Sequence, residues 1–494
     1  MKRDVRRLDR PHAKLREVKV CMISLGCPKN LVDSEIILGR VGDEGLAITA
    51  RPEDADVIVV NTCGFINRAK EESIQTILEM CDLKGRSERP KKVVVTGCLG
   101  QRYGMDLRAE VPEVDAIIGL GEYNDIGATI RELADGVKPV KILRVSDPNK
   151  ACSAEVGRFR LTPPHYAYVK ISDGCDNPCT FCAIPAIRGS FRSKPIPTIL
   201  EEVEELVACG AKEILLISQD TTSYGVDLTG EFQLPDLLER LNAVQGIEWI
   251  RVLYTYPSFL TDAMIDAVAS LEKVVKYIDL PLQHIADRVL RRMGRRMNEA
   301  KTRRLLEKLR GRIPGLYLRT TFIVGFPGED EKEFKILRNF VHEFGFERLG
   351  VFSYSAEEGT PAASFPDQVP PQVRARRVEE IMLTQQENAF RQNQARRGEI
   401  VRVLVDGELT SGKVLRTRSH GEAPEIDPYI FLEPESWDGR QPPRGSDQSP
   451  GQHAAPEPGD FVVVRITGSR GYDLLAIPVE PATSKSPSCN ASNL

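Results

Sequence analysis

No run of this sequence approaches the roughly 20 consecutive apolar residues that a membrane helix needs, so no membrane role is expected. An export signal is lacking too: Met1 to Lys19 is basic and polar with no apolar stretch. That fits neither a secretory signal nor a lipid-attachment motif, and residues 1–17 read as a frayed tail. Nor does charge of one sign dominate, since 67 Lys and Arg stand against 71 Asp and Glu, a net of −4. That balance gives no global case for a nucleic-acid partner. What is left is an ordinary globular composition, 41% hydrophobic and 28% charged, over 494 residues, a length that predicts about three domains.

Cysteine is plentiful. Eleven occur, and without an export signal they point to a reducing, cytoplasmic setting where thiols serve metals or redox chemistry more readily than disulfides.

Residues 18–136 alternate apolar strand-like runs with stretches of helical period, the pattern of an open, Rossmann-like parallel sheet covered by helices. The strands VKVCMISLG, VIVVNT and KKVVVTG each lead into a cysteine, Cys27, Cys63 and Cys98, in the settings LGC, NTC and TGC. Ligand sites in open α/β sheets form beyond the carboxyl ends of strands, so this repetition predicts three thiolates converging on one crevice. Residues 161–394 again alternate strands with helices, from YAYVKIS to RLGVFSY. Six such pairs predict an α/β partial TIM-type (β/α)6 barrel with its functional residues at the carboxyl ends of the strands. Beyond a basic, glutamine-rich helix, residues 395–482 read as a small antiparallel β-barrel of about five strands. The stretch 434–459, rich in Pro, Gly and polar residues, reads as a disordered insertion, and 483–494 as a disordered tail.

The strongest local signal is CDNPCTFC, which follows a strand and supplies Cys175, Cys179 and Cys182 from a single loop. Three thiolates leave one iron of a four-iron cluster open to coordinate a substrate. Zinc and a disulfide pair compete with this reading, but zinc usually takes four protein ligands and disulfides are disfavoured in a reducing compartment. The CxxxCxxC spacing resembles the radical S-adenosylmethionine superfamily over the whole of the predicted central barrel. That resemblance implies a 4Fe-4S cluster whose open iron is chelated by S-adenosylmethionine, and reductive cleavage to a 5′-deoxyadenosyl radical. It also implies cofactor contacts from Phe181, Gln219, and Ile323 and Gly325 of TFIVGFPGE, although GFPGE alone would pass for an ordinary turn.

Cys27, Cys63 and Cys98 ahead of the radical loop resemble the methylthiotransferase family, which implies a second 4Fe-4S cluster on that trio. A lone buried cysteine is usually just a small core residue; three at equivalent strand ends are not explained that way. Cys21, Cys81, Cys152, Cys209 and Cys489 match no motif. Within the family, SLGCPKNLVDSE and PLQH resemble the branch that modifies an aspartate on a small-subunit ribosomal protein, whereas transfer-RNA enzymes tend to carry a Gln-Ser-Gly-Ser run in place of PLQH. In that branch one S-adenosylmethionine methylates a sulfur species at the first cluster. A second yields the radical that takes hydrogen from the aspartate β-carbon, which requires both clusters to face one cavity.

Charge points the same way. Glu357 and Glu358 stand where transfer-RNA enzymes tend to have arginine, and residues 398–480 hold 14 Asp and Glu against 8 Lys and Arg. Carboxylates repel phosphates and attract a basic protein, although an acidic surface also serves plain solvation. His284, Glu357 and Glu358 are therefore expected near the target, with His284 equally readable as a hydrogen-bonded pocket histidine. The last domain resembles the TRAM domain of methylthiotransferases. The implied partners are a basic ribosomal protein, free or in the ribosome, and an electron donor such as flavodoxin or ferredoxin, with no transfer RNA. The rivals are a transfer-RNA adenosine methylthiotransferase and a non-enzymatic cluster scaffold or RNA-binding protein.

Overall fold

Runs of β-branched residues separated by helical periods favour parallel sheets flanked by helices, and two such sheets are present. A computed structural model describes residues 17–135, 141–150, 157–409, 414–433 and 456–479. The expected tails and the 434–459 insertion lie outside the described residues, apart from Glu17 and the stretch 456–459. The latter is an ordered turn instead of disordered chain, with the Gly459 N–H donating to the Val405 carbonyl at 2.8 Å. Among the described residues no helix is long and apolar enough to cross a membrane. The chain folds as two compact units. One holds the described residues up to Leu161 together with Asp173–Asp176 and Ala183–Arg192; the other holds Thr162–Ser172, Asn177–Cys182 and the described residues from Ser193 onward.

The first unit is built on six parallel strands: β1 (Lys19–Ser24), β2 (Ala47–Ile48), β3 (Val57–Thr62), β4 (Lys92–Thr96), β5 (Ala116–Ile118) and β6 (Ile142–Arg144). Their order is β2-β1-β3-β4-β5-β6. Helices α1 (Pro28–Asp43), α2 (Asn67–Arg86), α3 (Gly97–Glu110) and α4 (Ile126–Ala134) cover it. Successive side chains of a strand point to opposite faces. Accordingly Ile58, Val60, Val93 and Val95 pack with Ile77 of α2, while Val57, Val59 and Val94 pack with Ile37 and Val41 of α1 and Ile126 and Ile130 of α4. Burial on both faces explains why these strands read as unbroken apolar runs. The sheet reaches past the boundary expected at 136, because β6 pairs with β5; three residues, half exposed, give too short a signal to read.

The second unit carries β7 (Tyr166–Lys170), then β10 (Glu213–Ile217), β11 (Trp249–Val252), β12 (Val274–Asp279), β13 (Tyr317–Val324) and β14 (Arg348–Ser353), while the paired short strands β8 (Ser172–Asp173) and β9 (Arg192–Ser193) each have one residue in either unit. The parallel order β14-β13-β12-β11-β10-β7 is the expected six-stranded partial barrel. A closed barrel follows, made of β15 (Ile400–Glu408), β16 (Leu415–Arg418), β17 (Ile430–Leu432), β18 (Phe461–Arg470) and β19 (Asp473–Pro478). Its neighbours are antiparallel except β17 and β19, which are parallel, a correction to the all-antiparallel expectation. Five strands cannot alternate direction around a closed ring, so at least one adjacent pair must run the same way.

The small barrel belongs to the same compact unit as the six-stranded sheet, and the segment between β16 and β17 seats on polar residues of the parallel strands, Tyr166 and Arg348 at their amino-terminal ends among them. Arg251 donates to the His420 carbonyl at 2.8 Å, and the hydroxyl of Tyr277 to Asp427 at 2.7 Å. The hydroxyl of Tyr166 donates to Glu425 at 2.9 Å. Glu422 accepts from Arg348 at 2.7 Å and from the Ser419 N–H at 2.9 Å. Burial alone would raise the Glu422 carboxyl, but Arg348, Arg396 and the Ser419 donors overcome it and hold the group at about 2, against an ordinary 4.5. A depressed carboxyl stabilises the fold fully above its unfolded value and loses that contribution as pH falls toward the folded one. The seat should therefore weaken between about pH 4.5 and 2. Trp249, whose ring lies 4.8 Å from that of Phe461 in the barrel, reports on it directly. In urea titrations followed by its fluorescence in a Trp437→Phe background, Glu422→Gln should flatten the acid dependence over that window.

Candidate functional site

Since β1, β3 and β4 are parallel neighbours, their carboxyl ends lie side by side, and the residues just beyond them are Cys27, Cys63 and Cys98. Cys27 caps α1 and Cys98 lies in the first turn of α3. The loops touch. A Cβ on Gly26 (φ +90°) would come within 2.8 Å of the Cys63 Cβ, and one on Gly97 (φ +89°) would strike Thr62. This is why glycine stands before two of the three cysteines. Cys98 and Cys63 are buried and Cys27 is half-buried, all as free thiols. Burial pushes the Cys63 thiol up to about 12, and the neighbouring Cys98 and Cys27 thiolates add to the rise. Two buried sulfurs and a half-buried third, near enough to repel one another as thiolates, fit a bound cationic centre. Among the described residues no three His, Cys, Asp or Glu converge tightly enough for a single ion.

The second trio stands on the loop after β7 and β8, where Cys175, Cys179 and Cys182 are all half-buried and so open to a ligand. Each end of the loop is fixed locally. The Cys175 N–H donates to the Gly189 carbonyl at 3.2 Å, the Cys182 N–H to the Cys179 carbonyl at 3.2 Å, and Thr180 is held by the carbonyls of Met293 and Arg292. Asn177 donates to Asp220 at 2.8 Å, beside Gln219 at the end of β10. Two groups that sequence reasoning missed face the Cys179 sulfur: Arg295 Nη1 at 3.6 Å and the Tyr256 hydroxyl at 3.9 Å. The guanidinium lies 4.0 Å over the Tyr256 ring. Arg295 belongs to the run RRMGRRM, whose density of arginine was the available signal.

Of the residues implied as cofactor contacts, Phe181 and Ile323 come together against Phe326 and Tyr354. The Gly325 N–H (φ +70°) donates to Glu329 at 2.7 Å, and Gln219 is half-buried at its strand end. His284 is fully buried. Its Nδ1 accepts from the Ala286 N–H at 3.0 Å, which leaves the proton on Nε2, 3.8 Å from Glu329. Burial lowers its pKa to about 3, so the ring is neutral. Glu357 is buried too, at 1% exposure, and accepts from the Ser355 hydroxyl at 2.7 Å. Only Glu358 of that pair is exposed. The small barrel likewise spends acids internally: Glu422 and Asp427 on its seat, and Asp406 on Arg418 and His165. The acidic composition therefore does not translate into an equally acidic surface, and the charge case for a basic partner weakens.

Three family models match in succession: Uncharacterized protein family UPF0004 over residues 19–119, Radical SAM superfamily over 169–341, and TRAM domain over 398–479. The chain is 46% identical to the ribosomal protein uS12 methylthiotransferase RimO of Pelotomaculum thermopropionicum over 92% of its own length and 98% of that protein. It is 44% identical to the protein of the same name from Geobacter sulfurreducens, with the same coverage of each. Among solved structures it resembles the radical S-adenosylmethionine methyltransferase TsrM from Kitasatospora setae, with cobalamin and a 4Fe-4S cluster bound, at a TM-score of 0.50 and 13% identity, over 70% of this chain and 74% of that one. That likeness concerns the fold alone. Near-complete coverage by such relatives, with a cysteine trio on each of two parallel sheets, means that the chain belongs to the RimO methylthiotransferase family of radical S-adenosylmethionine enzymes.

Proposed function

We propose that the enzyme installs a methylthio group on the β-carbon of an aspartate in the small-subunit ribosomal protein uS12. The observation that carries this reading is the name shared by relatives that match the chain almost end to end. Cys27, Cys63 and Cys98 hold one 4Fe-4S cluster and Cys175, Cys179 and Cys182 the other. When bound, these clusters supply a sulfur-carrying iron at the first site, and at the second an electron and an open iron for S-adenosylmethionine.

The chain's own residues do the rest. The three loops of the first trio hold their thiolates beyond the carboxyl ends of neighbouring strands. Arg295 and the Tyr256 hydroxyl orient the Cys179 sulfur and offset its charge. Phe181 and Ile323 give S-adenosylmethionine an apolar wall for its adenine, Gln219 adds a polar contact at the neighbouring strand end, and the Gly325 turn beside Ile323 is held in shape by the bond from its N–H to Glu329. Flavodoxin or ferredoxin is the class of electron donor that suits a low-potential centre. Mass analysis of uS12 and of transfer RNA after incubation with both substrates tests the assignment. Methylthio is expected on the protein alone, and its appearance on transfer RNA instead would overturn it.

A further inference from the structure

One buried cation touches the supports of both cysteine sites and takes no part in the chemistry described above. Arg188 ends α5 (Ile184–Arg188), six residues beyond Cys182, and is 2% exposed. One edge of its guanidinium faces Asp173 at 3.2 Å, two residues before Cys175. Arg188 and Asp173 therefore clamp the two ends of the radical loop, alongside the bond from the Cys175 N–H to the Gly189 carbonyl. The other edge donates to Asn30 Oδ1 and to Asp33 Oδ2, each at 2.7 Å. All of these residues belong to the first compact unit.

Asn30 is the hub of the first site. It is completely buried, and its amide donates to the Leu25 carbonyl at 3.1 Å and the Thr62 carbonyl at 2.9 Å, just ahead of Cys27 and Cys63. Its Oδ1 lies 3.6 Å from the Cys98 sulfur. A single side chain thus touches all three cysteine loops, and the donor from Arg188 fixes which way its amide points. Ala183 and Ile187, on the same short segment as Arg188, pack against Cys98 and Leu120. The guanidinium also hydrogen-bonds the Cys98 sulfur.

We infer that Arg188 is a positioning residue shared by the two cysteine sites: through Asn30 it sets the spacing of the first trio, through Asp173 it closes the radical loop, and its charge offsets the first trio's thiolates. A cation beside a cluster favours the more negative, reduced state, so its loss should lower the reduction potential. A missing second contact to a metal ligand also typically loosens binding by about 10- to 100-fold.

This role rests on the two-cluster reading, and the iron content of the wild-type chain tests that reading separately: about eight iron supports it and about four refutes it, whatever Arg188 does. The first site is then isolated by replacing Cys175, Cys179 and Cys182 with Ala, and its potential is read by redox titration with electron paramagnetic resonance. Arg188→Met should shift the potential negative and speed iron loss to a chelator by about tenfold or more. Arg188→Lys should return most of the potential but not the iron retention, because an ammonium cannot span Asn30, Asp33 and Asp173 as the fork does. Should Arg188→Met fail to fold, Asp33→Asn serves in its place, and removal of that carboxylate should move the potential in the positive direction. Opposite signs for the two variants are not expected of a merely structural arginine. A potential unmoved by Arg188→Met or by Asp33→Asn, with iron retention also unchanged, overturns the assignment.

Discussion

Anaerobic reconstitution of the chain with Cys27, Cys63 and Cys98 all replaced by Ala is expected to leave about four iron where the wild type takes about eight, and to abolish methylthio transfer while 5′-deoxyadenosine still forms on reduction. The two losses separate because the trios lie on different sheets. The first is set beyond β1, β3 and β4, whose core of Val57 to Val60 and Val93 to Val95 packs away from the thiols. The second hangs on the loop after β7 and is tied to Met293, Arg292 and Asp220 through Thr180 and Asn177. Removing the first trio leaves those ties intact. Cys175→Ala should give the reverse pattern: about four iron retained, with no 5′-deoxyadenosine and no methylthio product. Iron unchanged in the triple variant would refute the first site outright. Loss of 5′-deoxyadenosine from that same variant would mean that the trios are not separable as proposed.

The parts of this arrangement that could be read from the sequence are those set by local chain geometry. Cys175, Cys179 and Cys182 fall within one loop, so their spacing alone carries the chemistry. Cys27, Cys63 and Cys98 were legible because each follows a strand, and parallel strands bring equivalent ends together. What was not legible depends on contacts distant along the chain. Arg295 reaches Cys179 across 116 residues and Arg188 reaches Asn30 across 158, and no periodicity announces either. The charge argument is weaker than composition suggests for a related reason: composition counts Glu357, Glu422 and Asp427 as surface charge, whereas the fold buries all three. A carboxylate's use depends on whether a guanidinium meets it, and that is a property of tertiary structure.

Arg418 shows how much rests on such a meeting. It is fully buried, donates to Asp406 through Nε and Nη2 at 2.6 and 2.9 Å, and reaches Glu213 at 2.7 Å. Glu213 opens β10 and Asp406 lies in β15, so this one side chain joins the small barrel to the parallel sheet. Arg251 and His165 complete the cluster from the sheet side, at 2.8 Å from Glu213 and 2.9 Å from Asp406. Arg418→Met should cost about 3–5 kcal/mol, because it leaves two carboxylates short of a buried partner. Arg418→Lys should recover only part, since an ammonium cannot match the paired donors that meet Asp406. Pairing Arg418→Met with Asp406→Leu should also recover part of the loss by deleting one of the stranded charges. The measurement is urea unfolding followed by tryptophan fluorescence in a Trp437→Phe background, in which Trp249 senses the barrel through Phe461. Glu213, which Arg418 meets, opens β10, and Tyr166 and Arg348 of the seat open β7 and β14, while the radical loop lies beyond the carboxyl end of β7. Arg418→Met should therefore spare 5′-deoxyadenosine formation under conditions where the sheet stays folded, and reduce transfer to the protein substrate. Equal loss of both activities at unchanged Trp249 fluorescence would show that the barrel's seat and the radical site are not independent.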